Sequence, residues 1–215
     1  TTFWQNKRVA LTGHTGFKGA WLTAWLKQLG AKVVGIALDP PTNPSHFAAA
    51  RLVDGMTDLK IDIRDRIALE EAIVSAQPDF VFHLAAQALV RRSYEDPLET
   101  WKTNVLGTLN VLETVRQIKS VRSLICITSD KCYESNFSTK GFKENDKLGG
   151  KDPYSGSKAS AEIMINSYLE SFYKSKNCGL ASARAGNVIG GGDWSENRLI
   201  PDTVKSIIKK RTIKI

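Results

Sequence analysis

Cysteine and histidine are both scarce, with three of each among 215 residues. Cys126, Cys132 and Cys178 are odd in number and lack metal-ligand spacing, which excludes a disulfide framework and a zinc module. Cys126 lies in an apolar run and reads as a small core residue. A chain without disulfides suits a reducing compartment. His14, His46 and His83 form no ligand motif, so no metal site is expected. No uncharged apolar run approaches the ~20 residues of a membrane-spanning helix. The N-terminus, TTFWQNKRVALTG, lacks the apolar core and cleavage site of a signal peptide. It starts at Thr1 without an initiator methionine and reads as processed or trimmed. Sixteen glycines and seven prolines are too few and too scattered for a collagen-like or low-complexity chain. These absences leave a cytoplasmic protein with no membrane partner.

What is present is ordinary for a globular protein: 42% apolar and 24% charged residues. The length suits one large domain, or one domain and part of another. Thirty basic against 22 acidic residues give +8. That balance fits a nucleic-acid surface, an anionic small ligand or a solvated basic face. The basic residues are spread along the chain, apart from Lys209, Lys210 and Arg211, so no nucleic-acid partner is expected.

Short β-rich runs alternate with helical stretches. Strands are expected at 7–12, 32–38, 59–63, 80–84, 121–128 and 180–188, and helices at 17–29, 66–76, 97–118 and 154–174. In 17–29 one stripe carries Phe17, Trp21, Trp25 and Leu29, with Leu22 and Leu26 beside it, and Gly30 ends the helix. Residues 133–151 read as a polar loop, and a short helix followed by the start of a strand is expected before Ile215. Alternation of this kind implies βαβ units and an α/β, doubly wound parallel sheet of the Rossmann type. Ligands of such sheets bind beyond the carboxyl ends of the strands.

After the first strand stands a GxxGxxG turn, Gly13, His14, Thr15, Gly16, Phe17, Lys18, Gly19, and then a helix. Glycines there allow a tight turn and close approach of a pyrophosphate, and the helix N-terminus supplies free N–H groups. Asp39 follows the second strand, 20 residues after Gly19. Its carboxylate can accept both ribose hydroxyls and repel a 2′-phosphate, favouring NAD over NADP, or it can simply form a turn before Pro40. Lys18, inside the loop, can offset that repulsion by attracting phosphate. Asp62 and Ile63 after the third strand, and Leu84, Ala85 and Ala86 at the end of the fourth, fit an adenine wall and a close backbone approach, or plain packing.

Tyr154 and Lys158 form a YxxxK at the start of a helix, on one face. A phenol beside an ammonium has its ionised form favoured, which would make Tyr154 a base for a sugar hydroxyl. Together, the 12–19 turn, Asp62, His83-Leu84-Ala85-Ala86, Asn104 and the Tyr154/Lys158 pair resemble the extended short-chain dehydrogenase/reductase family, over nearly the whole chain. The stretches FWQNKRVALTGHTGFKGAWL, PPTNPSHF, HLAAQALVRRSY, TSDKCYES, DPYSGSKASAE and SARAGNVIGGGDW resemble more closely its CDP-glucose 4,6-dehydratase branch.

The resemblance implies NAD as cofactor and CDP-glucose as substrate, dehydrated to a 4-keto-6-deoxy sugar that feeds bacterial surface polysaccharide such as lipopolysaccharide O-antigen. It casts Ser129, Asp130, Lys131, Tyr154 and Lys158 as catalytic. A generic member needs only the hydroxyl of Ser129, whereas elimination needs a base for C5 and an acid for the C6 hydroxyl. Asp130 and Lys131 can supply these, or form only a strand-end ion pair. Lysine is a base only when neutral, and its ordinary pKa is ~10.4, so a protonated Asp130 beside a neutral Lys131 is the state elimination needs. Asn104, counted with the cofactor site, would steady the Tyr154/Lys158 pair, or it is simply a polar surface residue. Gln87, Arg91, Asn187 and Arg198 would meet the substrate, or Arg91 and Arg198 are only solvated charges. Residues 1–186 would form the NAD-binding domain and 187–215 the beginning of a substrate lobe, apparently truncated, because members of the family continue well past this length. Apolar residues beyond one stripe on 97–118 (Leu98, Trp101, Val105, Leu109, Leu112) and on 154–174 (Ile163, Ile165, Tyr168, Leu169, Phe172) point to a homodimer through those helices. A nucleotide-sugar epimerase or reductase, or an idle NAD-binding module, remain the alternatives.

Overall fold

The computed structural model describes residues 2–134 and 141–212. Its β-rich runs become β1 (Arg8–Thr12), β2 (Lys32–Ala37), β3 (Thr57–Lys60), β4 (Phe80–His83), β5 (Ser123–Ile127) and β6 (Gly179–Ala183). They form one parallel sheet in the order β3-β2-β1-β4-β5-β6. This is the doubly wound α/β order, and the chain changes direction between β1 and β4, where a crevice opens. The register brings Thr12 opposite both Ile36 and His83, so the ends of the two central strands are level.

The helices are α1 (Phe17–Gln28), α2 (His46–Ala49), α3 (Arg66–Ala76), α4 (Val90–Glu95), α5 (Pro97–Trp101), α6 (Thr108–Gln117), α7 (Pro153–Tyr168) and α8 (Leu199–Ile208). Alternation along β1 divides the core between the two faces of the sheet. Val9 and Leu11 pack with Leu26 and Val33 on the side of α1. Ala10 joins Ile73, Val81, Leu112, Val115, Leu124 and Ile165 on the side of α3, α6 and α7. Asp96 and Asp152 cap α5 and α7, accepting the N–H of Glu99 and Ser155 at 2.9 Å, each ahead of a proline at the first helical position.

Several expectations are corrected. The Phe17/Trp21/Trp25 stripe of α1 is not its buried face: Gly19, Ala20, Thr23 and Leu26 are, while Trp21 and Trp25 are exposed. Small residues let α1 settle close to the turn before it, where indoles would not fit. The 97–118 helix is interrupted by a π-helical stretch, Lys102–Gly107, and α7 runs on into a second one, Leu169–Tyr173. Leu112 and Ile165 belong to this chain's own core, while Leu98, Trp101, Leu106, Ile163 and Phe172 are exposed. The third strand forms earlier than 59–63, and the sixth is shorter than 180–188 suggests, ending at Ala183, although Ala185 O still accepts the N–H of Asp130 at 3.0 Å. Residues 135–140 of the polar loop, and 213–215 with the strand expected there, lie outside the described residues. Among those described, no helix is long and apolar enough to cross a membrane, and no group of side chains could hold a metal.

Gly35 in β2 is hemmed in by a buried ring. A Cβ there would lie 2.5 Å from the ring of His14, which is fully buried, bonded to Asp58 Oδ1 at 2.9 Å and edge-on to Phe47. Gly35→Ala is expected to destabilise the fold by about 1–3 kcal/mol. Gly141→Ala, where nothing lies within 4 Å, should stay within ~0.5 kcal/mol of the parent in urea unfolding.

Candidate active site

At the end of β1 the chain turns through Gly13 at φ +76°, and a Cβ there would sit 2.6 Å from Ala85 N. Gly19, one turn into α1, is as constrained: its Cβ would lie 2.0 Å from Gly13 O. The turn and the loop after β4 are thus in backbone contact. Gly16 is the N-cap of α1 and offers no side chain to the first helical N–H groups. Thr15 Oγ1 donates to Leu38 O at 2.9 Å, holding the turn to the end of β2. Phe17 packs under Gly190, and Lys18 is half-buried. Burial and then the Arg198 cation hold its ammonium below the usual lysine range, against a pull upward from Asp130.

Beneath this turn lies a buried polar chain. Thr108 Oγ1 donates to Asn104 O at 2.7 Å, so it can only accept from His83 Nε2, 2.9 Å away. The imidazole therefore carries its proton on Nε2, and Nδ1 accepts from Thr12 Oγ1 at 2.7 Å. Thr12 Oγ1 in turn accepts the N–H of Ala85 at 3.3 Å. Burial, and then the charge of Lys158, push the His83 pKa down to about 3, so it stays neutral. Asn104, on the π-helical stretch, accepts from Gln87 N at 2.9 Å and donates to Gln87 O at 3.0 Å and Ser157 Oγ at 2.9 Å. It thereby joins the β4 loop to α7.

Ser129, Asp130 and Lys131 follow β5 in a 3₁₀ turn (Asp130–Cys132). Ser129 Oγ donates to Asp130 Oδ1 at 3.1 Å and accepts from Lys131 N at 3.2 Å. Lys131 Nζ lies 3.5 Å from Asp130 Oδ1 and donates to Asn187 Oδ1 at 3.0 Å. Asp130 also neighbours Gly186, so this turn and the segment after β6 form one wall. Tyr154 and Lys158 are both buried on α7. Burial, followed by the Lys18 cation, takes the Lys158 pKa down to about 8. Tyr154 departs from expectation: burial raises its pKa, only partly opposed by Ser129 and Arg198, and Lys158 does not govern it. The phenol is therefore a proton holder in this state.

The remaining expected residues lie around this centre with other partners. The Asp39 side chain is 88% exposed and 3.4 Å from Lys60 Nζ. Asp62 binds Arg64 through Nε at 2.8 Å, and that hydrogen bond holds its carboxyl below the usual range. Ile63 belongs to the core, while Leu84, Ala85 and Ala86 are half-buried along the crevice. Gln87 is engaged within the chain, accepting from Leu89 N at 2.7 Å and donating to Thr100 Oγ1 at 2.9 Å; the structure makes it a loop brace. Arg91 donates to Asn197 Oδ1 at 3.0 Å, and Arg198 to Asp193 Oδ2 at 2.9 Å.

Residues 11–214 match the family model described as GDP-mannose 4,6 dehydratase. The chain belongs to this dehydratase family. CDP-glucose 4,6-dehydratase of Salmonella typhimurium is 51% identical over 209 residues, 95% of this chain and 58% of that protein. A probable dTDP-glucose 4,6-dehydratase of Sinorhizobium fredii is 32% identical over 77% of this chain and 50% of its own length. Among solved structures, UDP-glucose 4-epimerase of Thermus thermophilus in complex with NAD is 30% identical, with a TM-score of 0.76 over 88% of this chain and 58% of that one. The chain spans about half to three-fifths of the length of these relatives.

Within this dehydratase-family site, the sequence marked Thr12 and His83 only as part of the family resemblance, with no role for either, and Thr108 not at all. A histidine ending an apolar strand between two threonine-bearing elements was the signal available. It carries no ligand spacing, so only the strand order reveals its partners.

Lys158 also sets a stability test. Its pKa is lowered from 10.5 to about 8 on folding, so the folded state binds fewer protons between those values and stability rises with pH there. Below pH 8 the full penalty, up to ~3 kcal/mol at 1.36 kcal/mol per unit, is present. Lys158→Met is expected to be more stable than the parent at pH 7, with the gain fading between pH 8 and 10.5 in thermal melts.

Proposed function

We propose that this chain forms the cofactor and acid–base half of an NAD-dependent nucleotide-sugar 4,6-dehydratase that converts CDP-glucose to CDP-4-keto-6-deoxyglucose. The observation that carries the reading is the Ser129-Asp130-Lys131 turn, which sets a carboxyl and an amine 3.5 Å apart beside Asn187. The 51% identity to the Salmonella CDP-glucose 4,6-dehydratase supports the choice of substrate. An epimerase or reductase needs neither Asp130 nor Lys131.

The Gly13 and Gly19 cradle, which a Cβ would fill, fits a dinucleotide diphosphate against the N-terminus of α1. Asp39, two residues past β2, would accept the ribose hydroxyls, which favours NAD over NADP. Bound NAD supplies the hydride acceptor for C4 and the later hydride donor to C6. Tyr154 takes the proton of the C4 hydroxyl, with Ser129 bonded to the same oxygen and Ser129 and Arg198 favouring the phenolate. Lys131 then removes the C5 proton, made acidic by the C4 ketone. Asp130 gives a proton to the C6 hydroxyl, which leaves as water. Lys131 returns its proton to C5 as C6 is reduced, and the proton held by Tyr154 replaces the one given up by Asp130, so one water is lost and no net oxidation occurs. Asn187, Arg91 and Arg198 would meet the sugar and diphosphate at the mouth.

We assign 1–186 to the NAD-binding domain and 187–215 to the beginning of the substrate lobe. The exposed Leu98, Trp101, Leu106, Ile163 and Phe172 support a homodimer through the long helices. A cytoplasmic setting suits three free, buried cysteines.

Two variants separate oxidation from elimination. With NAD and CDP-glucose, Lys131→Met should accumulate reduced cofactor, seen by its near-ultraviolet absorbance, while exchange of the C5 hydrogen with deuterated water falls by ~10²–10⁴-fold. Tyr154→Phe should accumulate no reduced cofactor. Normal C5 exchange in Lys131→Met would remove the base from the reading. For assembly, sedimentation at micromolar concentration should show a dimer that Ile163→Glu dissociates; a monomeric parent would reject the interface.

A further inference from the structure

Three stretches that mark the branch, TSDKCYES, DPYSGSKASAE and SARAGNVIGGGDW, meet at a buried ion pair that the reaction above does not use. Glu162 lies on α7 one turn beyond Lys158 and is 3% exposed. Its Oε2 accepts from Arg184 Nη2 at 2.7 Å and from Ser182 Oγ at 3.0 Å, and its Oε1 accepts from Thr128 Oγ1. Arg184 Nη1 donates to Tyr133 Oη at 2.9 Å and to Glu144 O at 2.8 Å. The Tyr133 ring stacks on Phe142 at 4.6 Å.

Thr128 and Tyr133 bracket the Ser129-Asp130-Lys131 turn. Both of its ends are therefore tied to one carboxylate–guanidinium pair, and that carboxylate stands on the helix that carries Tyr154 and Lys158. A forked guanidinium fixes direction as well as distance, because its planar donors reach Glu162 and Tyr133 at once. We propose that the Glu162–Arg184 pair is a positioning element that sets the elimination groups Asp130 and Lys131 in register with the oxidation groups Tyr154 and Lys158. Tyr133 is the coupling on the far side of the turn. This rests on the dehydratase reading. It predicts that loosening Tyr133 uncouples elimination from oxidation, whereas a merely structural contact would affect both alike.

Tyr133→Phe removes the bond to Arg184 and leaves the ion pair and Thr128 in place. Arg184→Lys keeps a cation on Glu162 but loses the fork. Both should keep NAD affinity in calorimetry, and the rate of cofactor reduction by CDP-glucose, within about threefold of the parent. Exchange at C5 and 4-keto product should fall on the order of 10-fold or more, as expected for a misplaced acid–base group, and reduced cofactor should build up. Independently of turnover, hydrogen–deuterium exchange of the Cys132 and Tyr133 amides should speed up, while that of Leu112 and Ile165 in the core should not. Equal losses in oxidation and exchange, or no loss in either, would overturn the positioning role. If the parent protein makes no 4-keto sugar, the dehydratase reading falls. Unchanged amide exchange at 132–133 would then overturn the clamp by itself.

Discussion

Thr12 and His83 face each other at the ends of β1 and β4, joined by a 2.7 Å bond from hydroxyl to ring nitrogen, and the geometry of the crevice follows from that pair. The bond holds the two central strands level at the point where the sheet changes direction. It leaves Gly13 and Ala85 in backbone contact, with no volume for a side chain between them. The far ring nitrogen reaches Thr108, so the same imidazole fixes how deep α6 sits. Because each proton in the chain has one available place, the arrangement has a single tautomer and a direction. A buried polar chain in which every member is satisfied specifies one structure; with one partner lost, it would carry an unpaired group in the core.

Around this neutral spine the site gathers charge. Lys18, Lys131, Lys158 and Arg198 all approach the crevice, with Asp130 among them and Asp193 behind Arg198. Such a concentration of cations opposes folding and favours an anionic occupant. The net charge of +8 is in part the signature of this local need, although most of the basic residues lie elsewhere on the surface.

Much of this architecture was legible in the amino-acid order, because strand and helix periodicities are local properties. The GxxGxxG turn, the βαβ alternation and the YxxxK helix needed only neighbours along the chain. What escaped depends on contacts distant in sequence. The indoles of α1 point outward because the tight seat beneath the helix is taken by Gly19 and Ala20, a matter of volume that apolarity alone does not reveal. The direction of the Tyr154 shift depends on how deeply α7 is buried, and the spacing of Tyr154 and Lys158 is silent on that. Glu162 and Arg184 stand 22 residues apart and look like two surface charges until β6 is laid beside β5.

The π-helical stretch at Lys102–Gly107 has a bearing on how this segment can change length. A π turn accommodates one residue more than an α turn, and each residue turns a helix by about 100°. The run from Pro97 to Gln117 is therefore two helices spliced out of phase, the first presenting Thr100 inward and the second Val111, Leu112 and Val115. Deleting any single residue of the stretch would restore ordinary winding and swing one half away from the sheet by that angle. Asn104 would leave Ser157, and Thr108 would leave His83, in the same movement. The supernumerary residue acts as a keyed joint, and the length of this helix is as strictly set as any side chain in the crevice.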